Sequence, residues 1–151
     1  RIVNDVAAIK KYGAPLIAIV FGTATTFNVI NENKEFIGGA VAPGMRGSMD
    51  SLVSGTAKLP RVEIETPKSV IGKNTTTNLQ AGLVFGFAGL VDYIVRRTKK
   101  EMKRPDMKVV ATGGFSEIIA KEVACIDYVD KLLTLNGLKI LYDLNRSEDK
   151  K

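Results

Sequence analysis

The stretch from Leu16 to Ile30, LIAIVFGTATTFNVI, limits the fold of this chain more than any other. An apolar, largely β-branched run ends in Gly22-Thr23-Ala24-Thr25-Thr26 and resumes as Phe27-Asn28-Val29-Ile30. The first run reads as a buried strand and the second as its hairpin partner. Gly22 lets the backbone turn sharply, and the small residues after it leave room for a bulky ligand to approach the main chain. Three threonine hydroxyls then stand where a phosphate could accept hydrogen bonds. A tight hairpin whose threonines merely suit strands accounts for the same pattern.

The flanking sequence extends this unit. Val3, Val6, Ala7 and Ile9 form a helical face that stops at Tyr12-Gly13, and Pro15 opens the strand without costing a ladder hydrogen bond. Asn31 to Lys34 is a turn, and Glu35 to Val41 returns as a third strand, completing an antiparallel meander whose Gly38-Gly39 pair implies a close backbone approach. After Pro43-Gly44, Met45, Met49, Leu52 and Val53 supply a short amphipathic helix ending near Gly55, with Ser48 and Asp50 outward. Residues 58–74 have no helical period; Val62 and Ile64 alternate with Glu63 and Glu65, which allows a short edge strand. Gly72-Lys73-Asn74-Thr75 lacks the leading glycine and spacing of a P-loop, and leaves a loop that presents Lys73, Asn74 and Thr75 at a helix N-terminus, a natural anion site.

From Thr75 to about Arg104 the pattern predicts one long helix with a seam of Leu79, Leu83, Phe87, Leu90, Val91 and Ile94. Ala81 to Val91 is apolar nearly all round, so burial on two sides is expected, against the sheet and against a second subunit. Gly82, Gly86 and Gly89 would let another helix approach; a central helix inside a larger monomer is the alternative. Met107 to Thr112 reads as a strand, Gly113-Gly114 as a turn and Phe115 to Val123 as a helix. This arrangement lets a nucleotide lie over a helix N-terminus, although a plain strand-to-helix turn explains it nearly as well. A last amphipathic helix, Leu135 to Leu144, would turn Leu138, Ile140, Leu141 and Leu144 inward, and Arg146 to Lys151 would form a charged tail.

Composition excludes several chemistries. With 151 residues and 45% apolar content the chain can bury the core of one ordinary domain. No uninterrupted apolar run approaches the roughly 18 residues of a membrane span and no signal peptide opens the chain, so cytoplasm is the expected compartment and no membrane partner is expected. Absence of histidine removes His-dependent triads and His-ligated zinc, and the single Cys125, read as a small buried filler, excludes an internal disulfide. Chemistry would rest on carboxylates, hydroxyls, amides and bound cations. The formal charge of +6 is concentrated in Arg96, Arg97, Lys99, Lys100, Lys103 and Arg104. Those cations complement a helix C-terminus, and with no interleaved aromatics they do not make a nucleic-acid platform.

FGTATT, followed in order by GGAVAPG (Gly38 to Gly44), AKLPRVE (Ala57 to Glu63), PKSVIGKNT (Pro67 to Thr75) and ATGG (Ala111 to Gly114), resembles type III pantothenate kinase, a family of the acetate and sugar kinase, Hsp70 and actin superfamily. The resemblance runs from Arg1 to about Asn145 and covers the family's C-terminal part. It implies an α/β, ribonuclease H-like (actin-like ATPase) domain at residues 1–145, with a mixed sheet of a three-stranded meander plus a further strand, covered by helices. By the same resemblance the activity is ATP-dependent phosphorylation of pantothenate to 4′-phosphopantothenate in coenzyme A synthesis, in a homodimer joined through the 75–104 helix. Gly22, Thr23, Gly113 and Gly114 would serve ATP, and Arg1 and Thr75 would serve pantothenate, Thr75 reaching the partner subunit's site. The family's general base would precede Arg1 and its first phosphate loop would lie further upstream, in an N-terminal domain absent from this chain. The polypeptide alone is therefore expected to be inactive.

Mg²⁺ and a monovalent cation such as K⁺ are expected from the family. The family's cation-binding aspartate corresponds to Val20, which has no oxygen to offer a hard cation, and a second frequent acidic position corresponds to Asn28. A non-catalytic regulatory or dimerisation module of the same fold is the alternative reading.

Overall fold

The computed structural model describes residues 2–55 and 59–148, the side chains of 147 and 148 excepted. Its framework is a mixed five-stranded sheet built from β1 (Leu16–Phe21), β2 (Ala24–Ile30), β3 (Phe36–Pro43), β4 (Lys108–Gly113) and β5 (Tyr128–Val129), in the order β3-β2-β1-β4-β5. β1, β2 and β3 are the antiparallel meander, while β4 runs parallel to β1 and β5 parallel to β4. Only β2 opposes the other four strands, the arrangement of a ribonuclease H-like sheet.

Alternation along the strands divides the core in two. Ile17, Ile19 and Phe21 of β1 join Phe27, Val29, Val109 and Ala111 on one face, covered by α2 (Met45–Ser54), α3 (Thr75–Glu101) and α4 (Ser116–Ala120). Leu16, Ala18, Ile30 and Val110 face α1 (Ile2–Tyr12) and α5 (Leu133–Glu148). β1 is thus buried from both sides, which explains why its sequence reads as a continuous apolar run. Gly39 lies so close to the Phe27 carbonyl that a Cβ there would collide with it, the backbone approach expected for the Gly38-Gly39 pair.

Several boundaries differ from the sequence reading. No strand forms at 62–64. That segment has no partner strand, though Val62 and Ile64 still pack against the core and Gln80 Nε2 donates to the Glu63 carbonyl at 2.9 Å. β3 is the sheet edge instead. α3 ends at Glu101 and the chain turns at Lys103, whose φ is 54°. α4 has five residues, not the stretch from Phe115 to Val123, because Val123, Cys125 and Ile126 pack inward from a loop. β5 has two residues, too few to carry a period that the sequence could reveal. α5 runs from Leu133 to Glu148, into the stretch expected as a tail. Leu138 and Leu144 are exposed rather than inward, since Leu133, Gly137 and Ile140 are the residues facing α1, and a Cβ on Gly137 would strike the Val3 carbonyl.

α3 is long and apolar enough to cross a membrane by length and composition alone, with a mean hydropathy of 1.4 over 18 residues. Here Ala81, Leu83, Val84, Phe87, Ala88, Val91 and Val95 are buried on the sheet side. Gly82, Gly86 and Gly89 are exposed with open space above them, so of the two burials expected one is made within the described residues.

Candidate functional site

Three turns meet at the C-terminal ends of β1 and β4. Gly22-Thr23 joins β1 to β2, Gly113-Gly114 joins β4 to α4, and Pro43-Gly44 joins β3 to α2. The Gly114 N–H donates to the Phe21 carbonyl at 3.2 Å, and Gly113 has φ 102°, where a side chain would also collide with the Phe21 backbone. On the other side a Cβ on Gly44 would strike the Thr23 and Gly22 carbonyls. The stretch from Phe21 to Thr23 is therefore held between two glycine contacts, Gly113 against Phe21 and Gly44 against Gly22 and Thr23, and such contacts exist only where nothing but hydrogen fits.

Two buried hydroxyls lock this arrangement. Ser116 Oγ donates to the Gly113 carbonyl at 2.7 Å, and Thr25 Oγ1 donates to the Pro43 carbonyl at 3.1 Å. Of the three threonines expected to offer hydroxyls, Thr25 is thus fully buried and committed, and Thr26 is half-buried; only Thr23 is exposed. The Gly22 N–H is likewise used, donating to the Ala24 carbonyl at 3.1 Å. What the turns present to a ligand is Thr23, with Gly22 and Gly114 exposed beside it and no side chain on either to obstruct approach. Parallel strands ending in glycine turns are where open α/β sheets receive ligands.

Gly22, Thr23, Gly113 and Gly114 are accordingly brought together; Gly44 and Ser116 join them as residues that sequence reasoning did not place in the site, and Thr25, expected to offer its hydroxyl to a ligand, instead braces the turns from inside. The Pro43-Gly44 dipeptide was the available signal. Thr75 is in none of these contacts. It is exposed at the start of α3, and the helix is capped by Asn74: Asn74 Oδ1 accepts from the Thr77 N–H at 2.9 Å, while Thr77 Oγ1 accepts from the Lys73 and Asn74 N–H groups at 3.0 and 3.2 Å. This capping box satisfies three donors that an anion would otherwise use, which weakens the site expected from Lys73, Asn74 and Thr75. Arg1 lies outside the described residues.

Beneath the turns, on the α1 side of the sheet, Val20 stands in register between Thr26 and Thr112. One step along, Asn28 is 2% exposed and its Nδ2 donates to Asp5 Oδ1 at 2.8 Å, Asp5 being 7% exposed on α1. Among the described residues no group of three or more carboxylates or thiols could hold a metal ion.

The family model for type III pantothenate kinase matches residues 1–97 of the 151. Over 150 residues the chain is 51% identical to a type III pantothenate kinase of Finegoldia magna, and over 145 residues 52% identical to one of Geobacillus thermodenitrificans. The chain belongs to the type III pantothenate kinase family. The two alignments take in 98% and 96% of this chain and 57% and 56% of the relatives, so it spans a little over half their length. The fold also matches, at a TM-score of 0.66 and 20% identity, a Campylobacter jejuni protein named for the Baf family of transcriptional activators, covering 96% of this chain and 65% of the other.

Proposed function

We propose that the protein transfers the γ-phosphoryl group of ATP to pantothenate, giving 4′-phosphopantothenate for coenzyme A synthesis in the cytoplasm. The observation that carries this reading is the three-turn convergence at Gly22-Thr23, Gly113-Gly114 and Gly44 in a chain of this family. Phosphoryl transfer is chiefly positioning and charge stabilisation, and a rigid side-chain-free edge beside an exposed hydroxyl supplies the positioning. In this reading the Thr23 hydroxyl donates to a phosphate oxygen, Gly22 and Gly114 let the triphosphate lie against the backbone, and Arg1 and Thr75 contact pantothenate.

Mg²⁺ bound to the triphosphate would neutralise developing charge. No described cluster of acidic residues fits it, so no residue of this chain is assigned to the ion. The Val20 side chain has no oxygen to offer a monovalent cation either, and no step is routed through one.

The test is ATP-dependent phosphorylation of pantothenate by the whole protein. Thr23→Ala should lower kcat/KM by about ten- to a hundredfold, the worth of one charge-assisted hydrogen bond. This chain alone should show no turnover, because it spans only a little over half the length of the relatives that carry the family's name. Absence of turnover from the whole protein under all conditions would favour the second reading, a non-catalytic regulatory or dimerisation module, for which Val20 is the specific support.

A further inference from the structure

Val20 and Asn28 differ from the expected acidic pattern in the same direction, and the structure places them together. They project to the α1 side of the sheet from adjacent strands, Val20 opposite Thr26 and Asn28 opposite Ala18, so they are diagonal neighbours below the Gly22-Thr23 turn. The carboxylate that reaches this layer from α1 is Asp5, and it accepts the Asn28 amide.

We infer that this site works without a bound monovalent cation, its charge balance being kept by Val20 and Asn28 in place of carboxylates; the inference rests on the kinase reading above. Carboxylates crowded in a poorly solvated layer repel one another and favour uptake of a proton or a cation. An aspartate at position 20 would place a carboxylate between Thr26 and Thr112 and near Asp5, and a cation would then balance it. Valine removes one negative charge and with it the need for one positive charge, leaving the net charge of the layer unchanged. Asn28 serves Asp5 as a neutral donor; an aspartate there would face Asp5 with like charge. The side chains in register with Val20 are Thr26 and Thr112, which carry neutral hydroxyls, and the Asp5 carboxylate of this layer already accepts the Asn28 amide, which leaves too little ligand charge to strip water from a hard cation.

The experiment has two arms at constant ionic strength. In the first, pantothenate phosphorylation by the whole protein is measured in potassium, sodium, ammonium and choline chloride. Rates agreeing within about twofold are expected, because bulk screening is the same in all four salts at constant ionic strength. A potassium rate several times the choline rate would overturn the inference. The second arm needs no activity: the thermal midpoint is measured in potassium and in choline chloride for the wild type and for Val20→Asp. Equal wild-type midpoints are expected, whereas Val20→Asp should melt lower in choline and be restored selectively by potassium. A potassium-selective rise in the wild type, or a folded Val20→Asp that ignores potassium, would count against the inference. If Val20→Asp does not fold, the wild-type comparison still decides. No turnover in any salt would reject the kinase reading, while the melting arm judges the cation inference separately.

Discussion

Asp130 ties the end of α1 to the segment leading into α5, and its protonation makes the domain sensitive to pH. It is 6% exposed; Lys11 Nζ and the Tyr12 hydroxyl donate to its Oδ2 at 2.7 and 2.9 Å, and the Leu132 N–H donates to Oδ1 at 3.1 Å. Burial by itself would raise its pKa, but these donors outweigh it and hold the carboxyl below its ordinary value. A lowered folded-state pKa contributes stability that is fully present above the unfolded value of about 3.9 and is lost as pH falls through the folded value. Tyr12 behaves in the opposite sense. Burial raises its pKa, so its contribution is present below about 10 and lost as pH rises through the folded value. Asp130→Ala should cost about 2 kcal/mol at neutral pH, with the difference from wild type narrowing in acid, as read by denaturant unfolding across a pH series. A constant difference down to strong acid would show that the carboxylate's charge is not what matters.

Among the described elements, α3 has its start set by its own residues. Asn74 and Thr77 satisfy the first amides reciprocally, so the helix begins there without help from the sheet. Asn74→Ala should lower stability by about 1 kcal/mol in a denaturant titration. If that variant also gained affinity for an anion through the freed amides, the anion site expected at Lys73 to Thr75 would be a property of the uncapped helix only. The α1–α5 pair is decided differently. Its inward stripe follows Gly137, where the helices approach closely, and the larger leucines at 135, 138 and 144 are left on the outside.

For the molecule as a whole, the open stripe of Gly82, Gly86 and Gly89 on α3 continues to Tyr93, which is 56% exposed, directly behind the face that packs on the sheet. On the dimer reading this stripe is where the partner subunit's helix packs. Light scattering should then give twice the chain mass, and Gly86→Arg, which points a charge into the contact, should return a monomer with unchanged helicity by circular dichroism. A wild-type monomer at micromolar concentration would reject the dimer.

The sequence determined by itself those features that depend on residues near one another. The meander follows from alternation and turn residues in Leu16 to Val41; α1, α2 and the body of α3 follow from helical period. The glycine turns at 22 and 113 were legible because glycine at the end of a strand has few other uses. Tertiary structure decided what depends on partners distant in the chain. A two-residue strand such as β5 exists only because Val110 and Ala111 lie alongside it, and the 62–64 segment is no strand because nothing does. The same distinction divides the GTATT threonines. Their composition promised three hydroxyls, and only the approach of Pro43 and the pleat of β2 determined that Thr25 would be consumed inside and Thr23 left free at the surface.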